Sequence, residues 1–161
     1  MDLAQQIQAL IDNAPSDGTT PQMVEAIAPV LTLLASQLKH EEYHILQTLD
    51  RGWVVTTLSN RAQPEVEKNV IYAFPTLKDA ADFQSGWDPQ IIAVPVPVTH
   101  ILFQMLALDT VNSTVFFDTP GNLAAGTEVR RDDLQRLIQT QLQQTWSAPR
   151  SYPSNLPPNL A

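Results

Sequence analysis

The five residues His40-Glu41-Glu42-Tyr43-His44 are the one stretch of this chain whose types and spacing could form a reaction centre. On an α-helix, residues four apart share a face, so both imidazoles could hold one zinc ion. Glu41 would then polarise the zinc-bound water. A third ligand would have to come from downstream, where Glu65 and Glu67 in PEVEKN are the acids at hand.

The pattern resembles the zinc metalloprotease signature, in which the active-site helix buries this turn and keeps charge off its two middle positions. Glu42 is charged, and the hydrophobic period changes from helical to alternating at Tyr43. In a strand, His40 and His44 would stand roughly 13 Å apart, too far to share an ion. The residues therefore favour a solvated helix end, whose negative pole suits two imidazoles. His40, Glu41 and His44 stay as metal candidates only, and no catalytic residue or cofactor site is assigned.

Other reactive-looking residues carry less. His100, in the mostly apolar run VTHILF, has no acid beside it to orient it as a base, which reads as a packed or capped residue. Asp118-Thr119-Pro120-Gly121 is turn chemistry, with proline and glycine where a type II turn needs them. The five glycines of the chain show no phosphate-loop or dinucleotide spacing.

The totals narrow the partners. Nine basic residues against seventeen acidic ones give a net charge of −8, which disfavours nucleic acid and anionic membrane surfaces. No cysteine is present, so disulfides, thiolate catalysis and Cys-ligated metal are excluded together. The N-terminus has no basic residues before its apolar run and does not read as a secretory leader. The apolar segment Met23 to Leu38 is too short and too amphipathic to span a bilayer. A soluble cytoplasmic protein is the expectation. At 161 residues, 43% hydrophobic, the chain has enough apolar material for one domain with a real core.

The elements that must position these residues follow from periodicity. Asp2 caps a short helix carrying Leu3, Ile7, Leu10 and Ile11. Thr20 caps a second helix with Pro21 at its first position, and Pro29 is expected to kink or split it. Its apolar stripe is Met23, Ile27, Val30, Leu31, Leu34 and Leu38. Tyr43 to Leu58 reads as a hairpin turning at Asp50-Arg51-Gly52, and Asn60 to Glu67 as a polar loop. Val70 to Phe74 is apolar on both alternations, as in a strand covered on both faces. A short helix follows Thr76, with Asp79 three residues on as in a capping box. Pro95 and Pro97 share one alternation of the next strand, which suits an edge. A helix from Ile101, a strand from Val115 to Asp118 and a last helix from Asp132 or Asp133 complete the order. Beyond Trp146 the proline-rich composition predicts an extended tail.

The succession NVIYAFPTLKDAADF, IIAVPVPVTHILFQML and TVFFDTPGN, closed by TEVRRDDLQRLI, resembles the SseB N-terminal-domain family over roughly residues 53–142. Phe74-Pro75-Thr76, Ala80, Phe83, Leu102 and Pro120-Gly121 carry the likeness. Asp118-Thr119 departs from it, an asparagine being usual there, as does the helical segment ahead of Tyr43. The resemblance implies an α/β sandwich without an established enzymatic mechanism, and it carries over no catalytic residue.

The expected architecture is α/β (α+β): one domain with a mixed sheet packed by helices. Residues 1–42 form an N-terminal helical extension, 43–146 the core and 147–161 a proline-rich tail. The expected function is non-enzymatic binding of another protein, and self-association stays open. The stripe from Met23 to Leu38 is the docking candidate, although the same pattern also serves a helix that merely covers a sheet. The rivals are a zinc hydrolase at His40-Glu41-x-x-His44 and a small-molecule site in a groove beside Pro95 and Pro97.

Overall fold

The computed structural model describes residues 2–14, 20–50, 52–60, 62–83 and 88–151. Two helices come first, α1 (Leu3–Asn13) and α2 (Thr20–Gln37), then β1 (Glu42–Thr48), β2 (Thr56–Asn60) and β3 (Gln63–Phe74). There follow α3 (Leu77–Phe83), β4 (Ile91–Pro97), α4 (Val98–Ala107), β5 (Ser113–Phe117), β6 (Gly126–Arg130) and α5 (Arg131–Ser151). The six strands form one mixed sheet in the order β4-β1-β3-β5-β6, with β2 also paired to β3. Only β3 and β5 run parallel.

The α+β architecture is thus as the sequence implies. Helices α1, α2, α4 and α5 cover one face, where Ile27, Leu31, Ile101, Leu102 and Leu134 meet Tyr43, Ile45, Ile71 and Phe116. Helix α3 covers part of the other face, over Leu46, Phe74 and Phe117. The central strands are therefore apolar on both sides, which is why Val70 to Phe74 shows no alternation. Phe117 stacks on Phe74 at 5.5 Å and on Tyr72 at 5.7 Å between ring centroids.

Several local signals hold. Asp2 caps α1, its carboxylate accepting the Gln5 N–H at 2.8 Å while the Gln5 side chain accepts the Asp2 N–H at 3.0 Å. Thr76 Oγ1 accepts the Asp79 N–H at 3.0 Å at the start of α3. Gly121 has φ 81°, and the Asn122 N–H reaches the Thr119 carbonyl at 3.0 Å, closing the type II turn. Buried Asp79 accepts the Gly121 N–H at 2.9 Å, so the turn is fastened to α3. Strand β4 pairs only with β1 and lies at the edge, where the donors that Pro95 and Pro97 lack are not needed.

Four expectations change. Strands β1 and β2 do not form the hairpin. Only its mouth exists, with Thr48 N–H bonded to the Gly52 carbonyl at 2.8 Å and Val54 N–H to the Leu46 carbonyl at 2.9 Å. One side of β1 is occupied along its length by β4, so β2 pairs with the long strand β3 instead. The polar loop expected to Glu67 is strand from Gln63. This end of β3 pairs with β2 and extends beyond the pairing with β5, which begins at Val70. Helix α2 runs unbroken through Pro29, a position on its exposed side, and begins at Thr20 itself, so any capping residue lies outside the described residues. The last helix continues through residues expected in the tail, to Ser151, and residues 152–161 lie outside the described residues.

The strand-to-helix junction at Pro97 explains how the N-terminal helices are held. Proline offers no side-chain cap to α4, so the first donors of that helix need acceptors from elsewhere. Val98 N–H bonds to the Glu41 carbonyl at 2.9 Å. Thr99 gives its N–H at 3.0 Å and its hydroxyl at 2.7 Å to Oε1 of Gln6, which is 1% exposed. The Gln6 amide in turn donates to the Glu41 carbonyl at 2.8 Å. At the other end of α4, the Arg131 guanidinium bonds to the Met105 and Leu106 carbonyls at 3.1 and 2.9 Å. Gln6→Ala should cost roughly 1–3 kcal/mol in urea unfolding, the usual penalty for stranding buried polar partners. A change below about 0.5 kcal/mol, within the range of ordinary surface substitutions, would show that water replaces the amide without loss.

Candidate functional site

The metal motif does not come together. His40 and Glu41 precede β1, and His44 lies within that strand opposite Phe74 and Pro95. The helix that would put both imidazoles on one face is absent, because the chain here is tied into a ladder on both sides. His40 Nε2 lies 2.7 Å from the Asp118 carbonyl and therefore donates to it. Glu41 contributes its carbonyl to the α4 junction rather than a carboxylate to a metal. Glu67 is exposed on β3, and the Glu65 side chain lies outside the described residues. Among the described residues no three His, Asp or Glu side chains are grouped to hold a metal ion.

His40 belongs instead to a corner with Tyr43 and Asp118. Its ring meets Tyr43 edge-on at 5.4 Å, and the His40 backbone N–H donates to the Tyr43 hydroxyl at 3.3 Å. Tyr43 is fully buried and packs edge-on against Phe116 at 5.0 Å. Burial foremost, with the nearby Asp118 carboxylate adding to it, pushes the Tyr43 phenol up to about 12. The phenol is neutral at physiological pH and serves as an acceptor in the core. His100 is likewise held, with Nε2 3.0 Å from the Gln6 carbonyl.

The docking stripe is also repositioned. Ile27, Val30, Leu31 and Leu38 are buried in the core, and Leu34 packs partly against it. They are spent on folding; of the six, only Met23, at 39%, is substantially exposed.

What α2 offers to solvent is a second stripe, rotated from the first. Glu25, Ala28, Pro29, Thr32, Leu33 and Ser36 recur at helical spacing and, with Ala4 and Ile7 of α1, line a groove of about 690 Å³. Leu33 is 54% exposed at this groove. Helix geometry builds it: α1 and α2 turn their larger apolar residues to the sheet and leave small ones, Ala4 and Ala28, along their outer seam. Leu33 falls off the core stripe in the sequence, and that misfit is the signal for the second face. By contrast, the space beside Pro97, bounded by Gln6, Glu41 and Glu42, is about 180 Å³, below the roughly 300–1,000 Å³ of ordinary ligand pockets.

No family model matches the chain, and no curated protein matches it. Among the described residues no helix is long and apolar enough to cross a membrane.

Tyr43 gives this region a pH signature. A phenol raised in the fold above its ordinary 10.0 contributes stability that is fully present below pH 10 and is lost as pH rises through about 12. Tyr43→Phe should flatten that alkaline loss in urea unfolding measured from pH 9 to 12. An unchanged slope would mean that the phenol ionises as readily folded as unfolded.

Proposed function

We propose that this chain is a non-enzymatic protein that acts in the cytoplasm by binding another protein, and that the α1–α2 groove is its docking surface. The observation that carries the reading is the groove around exposed Leu33 and Pro29 of α2, on a helix whose opposite side already completes the core. Leucine and proline there leave apolar surface in water, framed by Glu25, Thr32 and Ser36, and an apolar strip with a polar rim suits a docking surface. The titratable side chains considered as catalytic groups support the same reading. His40 and His100 are tied to backbone carbonyls, and Tyr43 is buried and neutral. The likeness to the SseB N-terminal-domain family, which implies no enzymatic mechanism, agrees with it.

The test is capture of partners from the native cell with the immobilised full chain and two variants. Leu33→Glu places charge in the groove, while Leu77→Glu alters an exposed leucine of α3, on the opposite face of the sheet. A partner retained by the wild type and by Leu77→Glu, but lost at least tenfold with Leu33→Glu, is the expected result. A partner held equally by all three would place docking elsewhere.

A further inference from the structure

Resting on that docking reading, we infer that the α1–α2 groove receives the apolar face of a basic amphipathic helix from another protein. Length supports a helix as the occupant. The lining of α2 runs from Glu25 to Ser36, a rise of roughly 16 Å, or about three helical turns. Apolar residues at i, i+3, i+4 and i+7 of an incoming helix span about two turns and fit within that length.

Charge selects the sign of the partner. Residues 1–50 hold seven carboxylate side chains against one lysine, Lys39, and no arginine. Neither α1 nor α2 contains a lysine or arginine. Glu25 lines the groove, and Asp2 and Asp12 stand exposed at the two ends of α1. Pro29 adds a further acceptor. It has no N–H to offer the Glu25 carbonyl, the helical partner four residues back, and Pro29 itself lines the groove. Lysine or arginine flanking an apolar face would meet carboxylates here, and the attraction would steer encounter. The same acids argue against a second copy of this chain, which would bring like charge to the seam, and against an anionic lipid surface.

The experiment uses the full chain and two labelled synthetic peptides of about 18 residues, or roughly five helical turns. Both carry leucine at i, i+3, i+4 and i+7, with lysine and arginine on the remaining face of one and glutamate on the other. Fluorescence anisotropy should show the basic peptide binding at least tenfold more tightly than the acidic one. Its affinity should fall several-fold between 0.05 and 0.3 M salt, where the screening length shortens to roughly 6 Å. Glu25→Lys should weaken it, and Thr32→Trp, a bulky change at an exposed groove position, should abolish it, with Leu77→Glu unchanged. Equal affinity for both peptides would overturn the basic-partner inference while leaving a docking groove in place. Binding of the basic peptide that survives Thr32→Trp would overturn it as well, as would no binding of either; the Leu33-dependence of captured partners then judges the docking reading separately. A dimer in sedimentation equilibrium that Thr32→Trp dissociates would assign the groove to a second copy and also overturn it.

Discussion

Strand β4 passes into α4 without a loop, and the residue at the junction is Pro97, which has neither a capping side chain nor an N–H. A helix start buried under other helices cannot leave its first donors unbonded, since each would forfeit its hydration without return. The acceptors come from far away in the chain: the carbonyl of Glu41 just ahead of β1, and the side chain of Gln6 on α1. Much of the architecture follows from that requirement. It fixes α1 over the end of the sheet, it holds the His40–Tyr43 segment against the α4 start, and it makes the N-terminal helices part of the domain. With α1 and α2 in place, Ile27 and Leu31 complete a core that Tyr43, Ile71 and Phe116 form from the sheet side.

The two faces of α2 then have separate roles. Its inner stripe is consumed by packing, so any binding must use what remains outside. Pro29 is tolerated because it lies on the exposed side, where the lost backbone bond leaves a carbonyl in water rather than in the core. The exposed leucine, the small residues along the seam and the absence of bases from both helices coincide on that one surface. Structure and proposed interaction therefore draw on opposite sides of the same helix, and a variant can disturb one without the other.

Features set by local chemistry were legible in the sequence. The Asp2 cap, the Thr76 start of α3, the positive φ of Gly121 and the edge position of Pro95 and Pro97 depend on neighbours a few residues away. Partner choice among strands was not, because the turn at Asp50 to Gly52 predicts a hairpin whether or not β1 has a free side. The Gln6 link spans 93 positions to Thr99, and a glutamine on a short amphipathic helix gives no sign of such a partner. The stripe from Met23 to Leu38 had the period of a docking face and of a core face alike; only the sheet beneath it decides between them. The zinc-like motif failed for a related reason, since H-E-x-x-H has meaning only on a helix and β1 takes His44 into a ladder.

Native-state amide hydrogen exchange tests most directly whether the N-terminal helices belong to the domain. Amides of α2 from Val24 to Ala35 and of β3 from Val70 to Phe74 should exchange with one opening free energy, responding equally to urea as parts of a single cooperative unit. Exchange of α1 and α2 through a cheaper opening, with the strands still protected, would contradict the account. The helices would then be an appendage, and the Gln6 link would be an ornament of the fold rather than its tie.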